Sequence, residues 1–491
     1  MTFHAIELYF CQKYTLDYSD KIQEFVRTIE TLSNQLKELE VEIAVLRNEN
    51  SALRNEVAEL KARLSTNSNN SHKPPSSDGY TKKPAFPRTK GGKRGGQTGH
   101  KGRTLQQMKN PDEVVVCAPQ SCTCGRDFTP EDLVMTERRQ VFELPKPQLK
   151  TIEYQLHRAT CPDCGQVHVA DAPDDVNAPT QYGSNAKAMA VMLNVHHKIP
   201  LKRVQLLFGD LYGHSMNEST LYSASQKCYD LLESSEQIIK SRISSSSICH
   251  ADETGQRVDG RLMWLHTAGN QSATYLFVDE KRGISAIEGS KSALKEFAGW
   301  LIHDCWGSYF NLNHVKHALC GAHILRELTW LIDNKNSQWA QQFKSFLLKV
   351  KELPYEDRVK RRQWILTTYD ATIALALQEE PPPYKDPNKK GRKKRTKGRN
   401  LAERLEKRKE AVLAFAFKQE VPFTNNLAER DVRHVKIKQK VSTSFRTMRG
   451  AEIYARIEGF ISTARKQNRN IFQELCDTFV GHNFLTREVG S

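Results

Sequence analysis

Between residues 20 and 64 the apolar side chains recur at alternating spacings of three and four: Ile22, Phe25, Ile29, Leu32, Leu36, Leu39, Ile43 and Leu46, then Leu53, Val57, Leu60 and Leu64. A heptad pattern held over six repeats predicts a long helix that winds around another. Leu fills nearly all the d positions, Ile or Val several a positions, and Asn50 one a position, a combination that favours a parallel two-stranded coil. The flanking charges agree: Glu42 with Arg47, Glu49 with Arg54 and Glu56 with Lys61 are partners across such a dimer. The expected partner is a second copy of the chain, in a homodimer or higher oligomer.

The pattern disappears over residues 65–109. STNSNNSHKPPSSDGY is polar and rich in Pro and Ser, with too little apolar content to fold. The TKKPAFPRTKGGKRGGQTGHKGR stretch that follows holds eight Lys or Arg, no acid and many glycines. Such an arm can follow a DNA backbone or enter a minor groove. Lys93, Arg94, Lys101 and Arg103 are its candidate DNA contacts.

Residues 110–172 carry Cys122-Thr-Cys124-Gly and Cys161-Pro-Asp-Cys164-Gly. A Cys-x-x-Cys-Gly turn presents two thiolates to one tetrahedral Zn²⁺. The second turn has that spacing and the first is one residue short, so Cys117 and His168 compete for a place. The expected ligands of one structural zinc are Cys122, Cys124, Cys161 and Cys164.

Over 180–240 the periodicity turns helical, broken near Pro200 and at Leu211-Tyr212-Gly213, and Asn217 to Thr220 offer helix caps. Helix, Gly turn and capped helix suit a helix-turn-helix DNA-binding segment, and equally a plain helical bundle. From 245 the runs SSICHADETGQRV, MWLHTAG, ATYLFVD and GWLIHDCW read as strands. Three would form a meander, and the fourth would be a buried strand after a helix near 290–299. Helices follow, with a helical insertion over 331–420 that includes a basic loop holding eight Lys or Arg between 389 and 399. The last helices lie within 421–480. Strands followed by helices indicate an α/β core over 245–330 and 421–480.

Composition narrows the partners. The net charge of +16 and pI near 9.2 suit a polyanion, since each neutralised phosphate releases counterions. Eleven cysteines spread over 491 residues do not make a secreted disulfide framework and suit a reducing cytoplasm. No run of 18 apolar residues and no basic-then-apolar leader is present, so neither a membrane span nor a signal peptide is expected.

Two acids close apolar runs: Asp252 in Cys-His-Ala-Asp-Glu-Thr and Asp304 in Ile-His-Asp-Cys-Trp. A carboxylate at the end of a buried strand is costly unless solvated, paired or on a metal. Glu429, in Asn-Asn-Leu-Ala-Glu-Arg, opens an amphipathic helix that can bring a third carboxylate beside them. Three carboxylates can hold two Mg²⁺ for in-line displacement at a phosphodiester. Spacing alone does not separate these acids from helix caps, since Asp304 before Trp306 and Glu429 after an Asn pair both suit that role. Glu253 would point to the opposite strand face and is not a ligand candidate.

In order along the chain, the Leu-rich coil, NSNNSHKPPSSDGY, GGKRGGQTGHKGRTL, CPDCG, HADETG, IHDCWGSY, LCGAHILREL and TNNLAERDVRHVKIKQKVS followed by FRT resemble the large transposase of the insertion-sequence-sixty-six family, from about residue 20 to 480. The resemblance implies a multidomain α+β chain: coiled coil, zinc knuckles, helical DNA-binding segment, and an RNase H-like α/β catalytic core with a helical insertion. It implies an Asp–Asp–Glu triad at Asp252, Asp304 and Glu429 with two Mg²⁺ (or Mn²⁺). His303 and Trp306 would flank the second carboxylate. Asn426 and Arg430 would support the site or contact DNA. His323 and Arg326 would contact phosphate or orient the site, or simply pack their helix. The implied partners are insertion-sequence terminal repeats, target DNA and small accessory proteins of the same element, and the implied location is the bacterial cytoplasm, at the nucleoid.

The expected reaction is therefore metal-dependent strand cleavage and strand transfer. The rival readings are a dimeric DNA-binding regulator without catalysis and an RNase H-type nuclease that only hydrolyses. The regulator is disfavoured in its basic-zipper form, because there the basic helix precedes the coil, and here the basic stretch follows it and is rich in Gly and Pro.

Overall fold

A computed structural model describes residues 3–68, 70–71, 104–383 and 395–490, with side chains from residue 21 onward except those of 55, 489 and 490. The candidate DNA contacts Lys93, Arg94, Lys101 and Arg103 lie outside the described residues. So do residues 384–394 of the basic insertion loop. No helix among the described residues is long and apolar enough to cross a membrane. The chain divides into two compact units. The first comprises Met1–Lys82, His323–Phe346 and Tyr369–Glu403; the second comprises Lys83–Ala322, Leu347–Thr368 and Arg404–Ser491.

The first unit contains α1 (Phe3–Leu64), which begins well before residue 20, where the heptad pattern starts. Along α1 the heptad side chains Ile22, Phe25, Ile29, Leu32, Leu36 and Leu39 are each more than half exposed. After the helix, Ser65 donates through its hydroxyl to the Asn334 side chain. Elsewhere in this unit Phe343 and Tyr369 meet edge to face, ring centroids 5.2 Å apart, and Trp339 N–H donates to Glu379 at 3.0 Å.

In the second unit, residues 104–157 form almost no regular structure. The two knuckles are separate turns, and the hairpin β1 (Arg158–Thr160) and β2 (Val167–Val169) flanks the second of them. Then come α2 (Ser184–Val191), a π-turn over Met192–His196, α3 (Leu201–Tyr212), α4 (Glu218–Leu231) and α5 (Glu233–Ser244). The expected breaks are there. Lys198 takes a left-handed φ of 61° just before Pro200, and Gly213 takes φ 66° after α3. Val204, Phe208, Met216 and Leu221 bury one face of the α3–α4 pair.

The sheet has five strands in the order β5-β4-β3-β6-β7. β3 (Ile248–Val258), β4 (Arg261–Gly269) and β5 (Thr274–Asp279) form the antiparallel meander, while β6 (Trp300–His303) and β7 (Lys316–Leu319) add in parallel. Between β5 and β6 the only helix is α6 (Ile284–Ile287), and no helix spans 290–299. Ala293, Leu294 and Phe297 are buried there at helix-like spacing, but turns carry them, with Ser292 Oγ accepting from Leu294 N–H at 3.1 Å.

The chain then enters α7 (Gly321–Lys335), α8 (Gln338–Glu352), α9 (Tyr355–Lys360), α10 (Arg362–Glu379), α11 (Lys397–Lys407) and α12 (Lys409–Phe417). The end of the expected basic loop is thus helical, since Lys397 and Arg399 belong to α11. It closes with α13 (Asn426–Ser442), α14 (Met448–Lys466), α15 (Ile471–Phe479) and α16 (Phe484–Gly490). The main core joins the sheet to the last helices: Cys249, Ala251 and Leu301 from strands gather with Val435, Tyr454, Ile457 and Phe460 from α13 and α14.

Candidate functional site

Asp252 stands in the middle of β3 rather than at its end, because β4 pairs with β3 as far as Val258 while β6 stops earlier. In the parallel ladder Ile248 faces Trp300, Cys249 faces Leu301 and His250 faces Ile302. Carrying the same register two residues further sets Asp304 beside Asp252, just past the end of β6. Neighbouring strands lie ~4.8 Å apart and side chains alternate faces, so the two carboxylates share one face and adjoin.

The backbone after β6 fixes Asp304. Cys305 has a left-handed φ of 79°, a conformation uncommon for a residue with a side chain. Asp304 Oδ1 accepts from Trp306 N–H at 2.8 Å, and His303 Nδ1 accepts from Cys305 N–H at 3.2 Å.

Glu429 is held by a different device. A Cβ on Gly321 would collide with the Phe423 ring, and Gly321 N–H donates to Phe423 C=O at 2.8 Å. This lays residues 421–425 against the end of β7. Asn425 is buried at the position before α13, and its side chain turns away from the helix rather than capping it. Its Nδ2 donates to Ala251 C=O at 2.8 Å, its Oδ1 pairs with His250 Nδ1 at 2.9 Å, and its N–H points to Cys320 Sγ at 3.2 Å. Glu429 follows one turn later, its N–H donating to Asn425 C=O at 3.2 Å. Glu429 thus sits inside the first turn and is not the helix cap.

Nearby acids act on the charge of Asp252. Burial pushes the Asp252 carboxyl up, and Glu253, Asp304 and Glu429 push the same way against a hydrogen bond from Glu253 N–H, leaving it well above the ordinary carboxylate range. Asp304 and Glu429 thus lie near enough to Asp252 to act on its charge, but among the described residues the three do not offer oxygens that all lie within 4.8 Å of one another. Their oxygens are hard donors of the kind a divalent cation prefers, and holding one ion between all three would require them to draw closer.

The other candidates have surroundings of their own. Glu253 is buried on the opposite face, accepting from Arg282 Nε at 2.7 Å and Tyr309 OH at 2.6 Å. Arg282 in turn sits 4.2 Å from the Trp306 ring centre and 4.9 Å from that of Trp264, so Trp306 braces Arg282. His303 is buried among Tyr309, Phe310 and His317, away from Asp304. Burial, with His317 and Arg408 nearby, keeps it far below the ordinary histidine range and neutral. Asn426 and Arg430 are exposed on the first turn of α13. His323 and Arg326 are half-buried on α7 in the first unit.

The cysteines pair two by two. Cys122 N–H donates to Arg126 C=O and Cys161 N–H to Gln166 C=O, both at 2.8 Å, closing the two turns. Gly125 and Gly165 take φ 91° and 75°, which only glycine adopts at little cost. Hydrogen bonds from Cys124 and Thr123 lower the Cys122 thiol, and those from Cys164 and Asp163 lower Cys161. The four sulfurs do not gather within one ligand sphere.

Asn425, His250, Arg282 and Tyr309 were not singled out by the sequence. Only Asn425 carried a local sign, as the first Asn of the pair before α13.

Comparison with known proteins gives the class first. Residues 179–453, from before α2 to the start of α14, match a transposase family model; a transposase is a DNA-processing enzyme, with DNA as its partner and a general use of divalent metal. That family is described as Transposase IS66 family, and with more than half of the chain matched, the chain belongs to it. Residues 21–106 match a family of unknown function. No curated protein matches the chain.

Proposed function

We propose that this transposase cleaves DNA at insertion-sequence ends and joins the freed ends to a target, using Asp252, Asp304 and Glu429 as the ligands of two Mg²⁺ or Mn²⁺ ions. One observation supports the reading: the parallel register sets Asp304 beside Asp252, and the charges of Asp304 and Glu429 both act to raise the proton affinity of Asp252. Bound there, the ions would stabilise charge on the attacking and leaving oxygens of an in-line displacement. The chain's own residues bind and orient. Asn425 ties α13 to the strand that carries Asp252, and the turn at Cys305 aims Asp304. The reaction first hydrolyses one strand to a free 3′-hydroxyl, and that hydroxyl then attacks a new phosphodiester.

The sheet from β3 to β7 with α13 and α14 is the RNase H-like core in this reading, interrupted by the helical insertion over 331–420. Residues 20–64 dimerise, 65–109 track DNA, and α3 and α4 form the helix-turn-helix-like DNA-binding pair. Residues 110–172 bind one zinc through Cys122, Cys124, Cys161 and Cys164; the lowered thiols support this, and binding requires the two turns to draw together.

The test is Asp304→Asn on DNA carrying the element's ends. Cleavage and joining are expected to vanish with end binding kept. A variant that still cuts with Mg²⁺ ends the assignment, and cutting without any joined product favours a nuclease that only hydrolyses.

A further inference from the structure

The face that α13 leaves to solvent extends the carboxylate cluster. Leu427, Ala428, Asp431, Val432 and Val435 are buried. Glu429, Arg433, Lys436 and Lys440 follow at intervals of four, three and four, so they share one edge of the helix. At 1.5 Å per residue the three cations lie about 6, 10 and 16 Å beyond Glu429 along the axis. Arg433, Lys436 and Lys440 are exposed. Among the described residues Arg433 and Lys440 have no hydrogen-bond or ion-pair partner. The sole other acid of α13, Asp431, is buried and taken by Lys466 at 2.8 Å. Lys436 shows which way the edge faces: its Nζ donates to Gly255 C=O at 2.8 Å, three residues beyond Asp252 on β3.

Resting on the function proposed above, we infer that Arg433, Lys436 and Lys440 form a track for the sugar–phosphate backbone of one DNA strand, leading away from the phosphate held at the carboxylates. The spacing fits. Phosphates of one strand recur every ~3.4 Å of duplex axis, so a row of about 10 Å faces roughly three of them. Ile437 and Val441, each close to half exposed beside this row, offer apolar contact to sugars without reading sequence. The occupant is DNA by charge: a row of exposed cations, two of them without a partner among the described residues, suits a linear polyanion, and an acidic protein would have to bring carboxylates beside acids that already repel them.

The experiment uses the full-length chain and a linear 30-base-pair duplex, with chelator present so that nothing is cut. Binding is measured from low to moderate salt. Each lost phosphate contact flattens the slope of log affinity against log salt by ~0.9, so Arg433→Gln with Lys440→Gln is expected to flatten it by about 2, and Arg433→Lys to keep it. Both side chains are exposed, and an unchanged thermal melt verifies folding. An unchanged slope in the folded double variant overturns the track. Asp304→Asn is expected to keep the wild-type slope; if in a separate reaction with Mg²⁺ restored it still cleaves, the catalytic assignment fails while the track stands.

Discussion

Asn425 and His250 are 175 residues apart in the chain and 2.9 Å apart in the fold. Because Asn425 Nδ2 must donate to Ala251 C=O, its Oδ1 can only accept, and His250 is the donor through Nδ1–H. Burial, opposed by that hydrogen bond, lowers the proton affinity of His250, so the ring stays neutral in this tautomer. The pair locks the first turn of α13 to the residues just before Asp252. Asn425→Leu would strand Ala251 C=O and His250 Nδ1–H, at roughly 1–3 kcal/mol for each buried group left unpaired. Urea denaturation is expected to show that loss, and an unchanged midpoint would remove Asn425 from this role.

Asp252 sets a different expectation. Its folded proton affinity is raised by burial and by Glu253, Asp304 and Glu429. The stability it contributes is therefore fully present below the ordinary aspartate range and drains away as pH rises through its higher folded value. Without metal, Asp252→Asn should melt higher than the parent at neutral pH and lose that pH dependence. Mg²⁺ competes with the proton, so it should stabilise the parent more as pH rises and leave the variant unmoved. A variant whose melting temperature falls, or still rises with Mg²⁺, contradicts the cluster.

Glu458 anchors the back of α13. It is buried, with Lys198 at 3.1 Å and His434 of α13 at 3.3 Å. Burial raises its proton affinity, but the His196 ring, with Nδ1 3.6 Å away, and the charges of Lys198 and His434 outweigh it and hold it below the ordinary range. This depressed acid contributes stability present above the ordinary glutamate value and lost as pH falls through the lower folded one. Glu458→Gln leaves Lys198 buried and unpaired, a loss of about 3–5 kcal/mol. Lys198→Met combined with it should cost clearly less than the two single losses together, and full additivity in chemical denaturation would argue against the pair.

The exposed stripe of α1 predicts its own partner. Replacing Leu39 and Leu46 with Glu should turn a dimer into a monomer in sedimentation equilibrium, with the melting of the remaining chain unchanged. A parent that sediments as a monomer at micromolar concentration would reject self-association through this helix.

Much of the architecture was legible because it is local. Heptads announced α1, Pro200 and Gly213 announced the breaks around α3, and alternating runs announced β3, β4, β5 and β6. Two readings failed for identifiable reasons. β7 is only four residues, and its Ala318-Leu319 run merges into the apolar face of α7. Ala293, Leu294 and Phe297 have helical spacing because they fill a core, not because their backbone is helical. In the candidate site, Asp252 and Asp304 stood out as acids in apolar runs. The seat of Glu253 on Arg282 and Tyr309 did not, since those partners lie 29 and 56 positions away. The Asn425 clamp escaped for the same reason.

The side-by-side acids of β3 bear on how the strand threads. A shift of one residue turns every side chain of a strand over, so a misthreaded β3 would offer Glu253 where Asp252 belongs and still present a carboxylate. Such a slip would wrench Glu253 from its guanidinium and phenol and drive Asp252 into a seat shaped for a longer acid. The seat of the second acid thus favours the register that places the first, and weakening it through Arg282 or Tyr309 should loosen β3 at the proposed site without touching any proposed metal ligand.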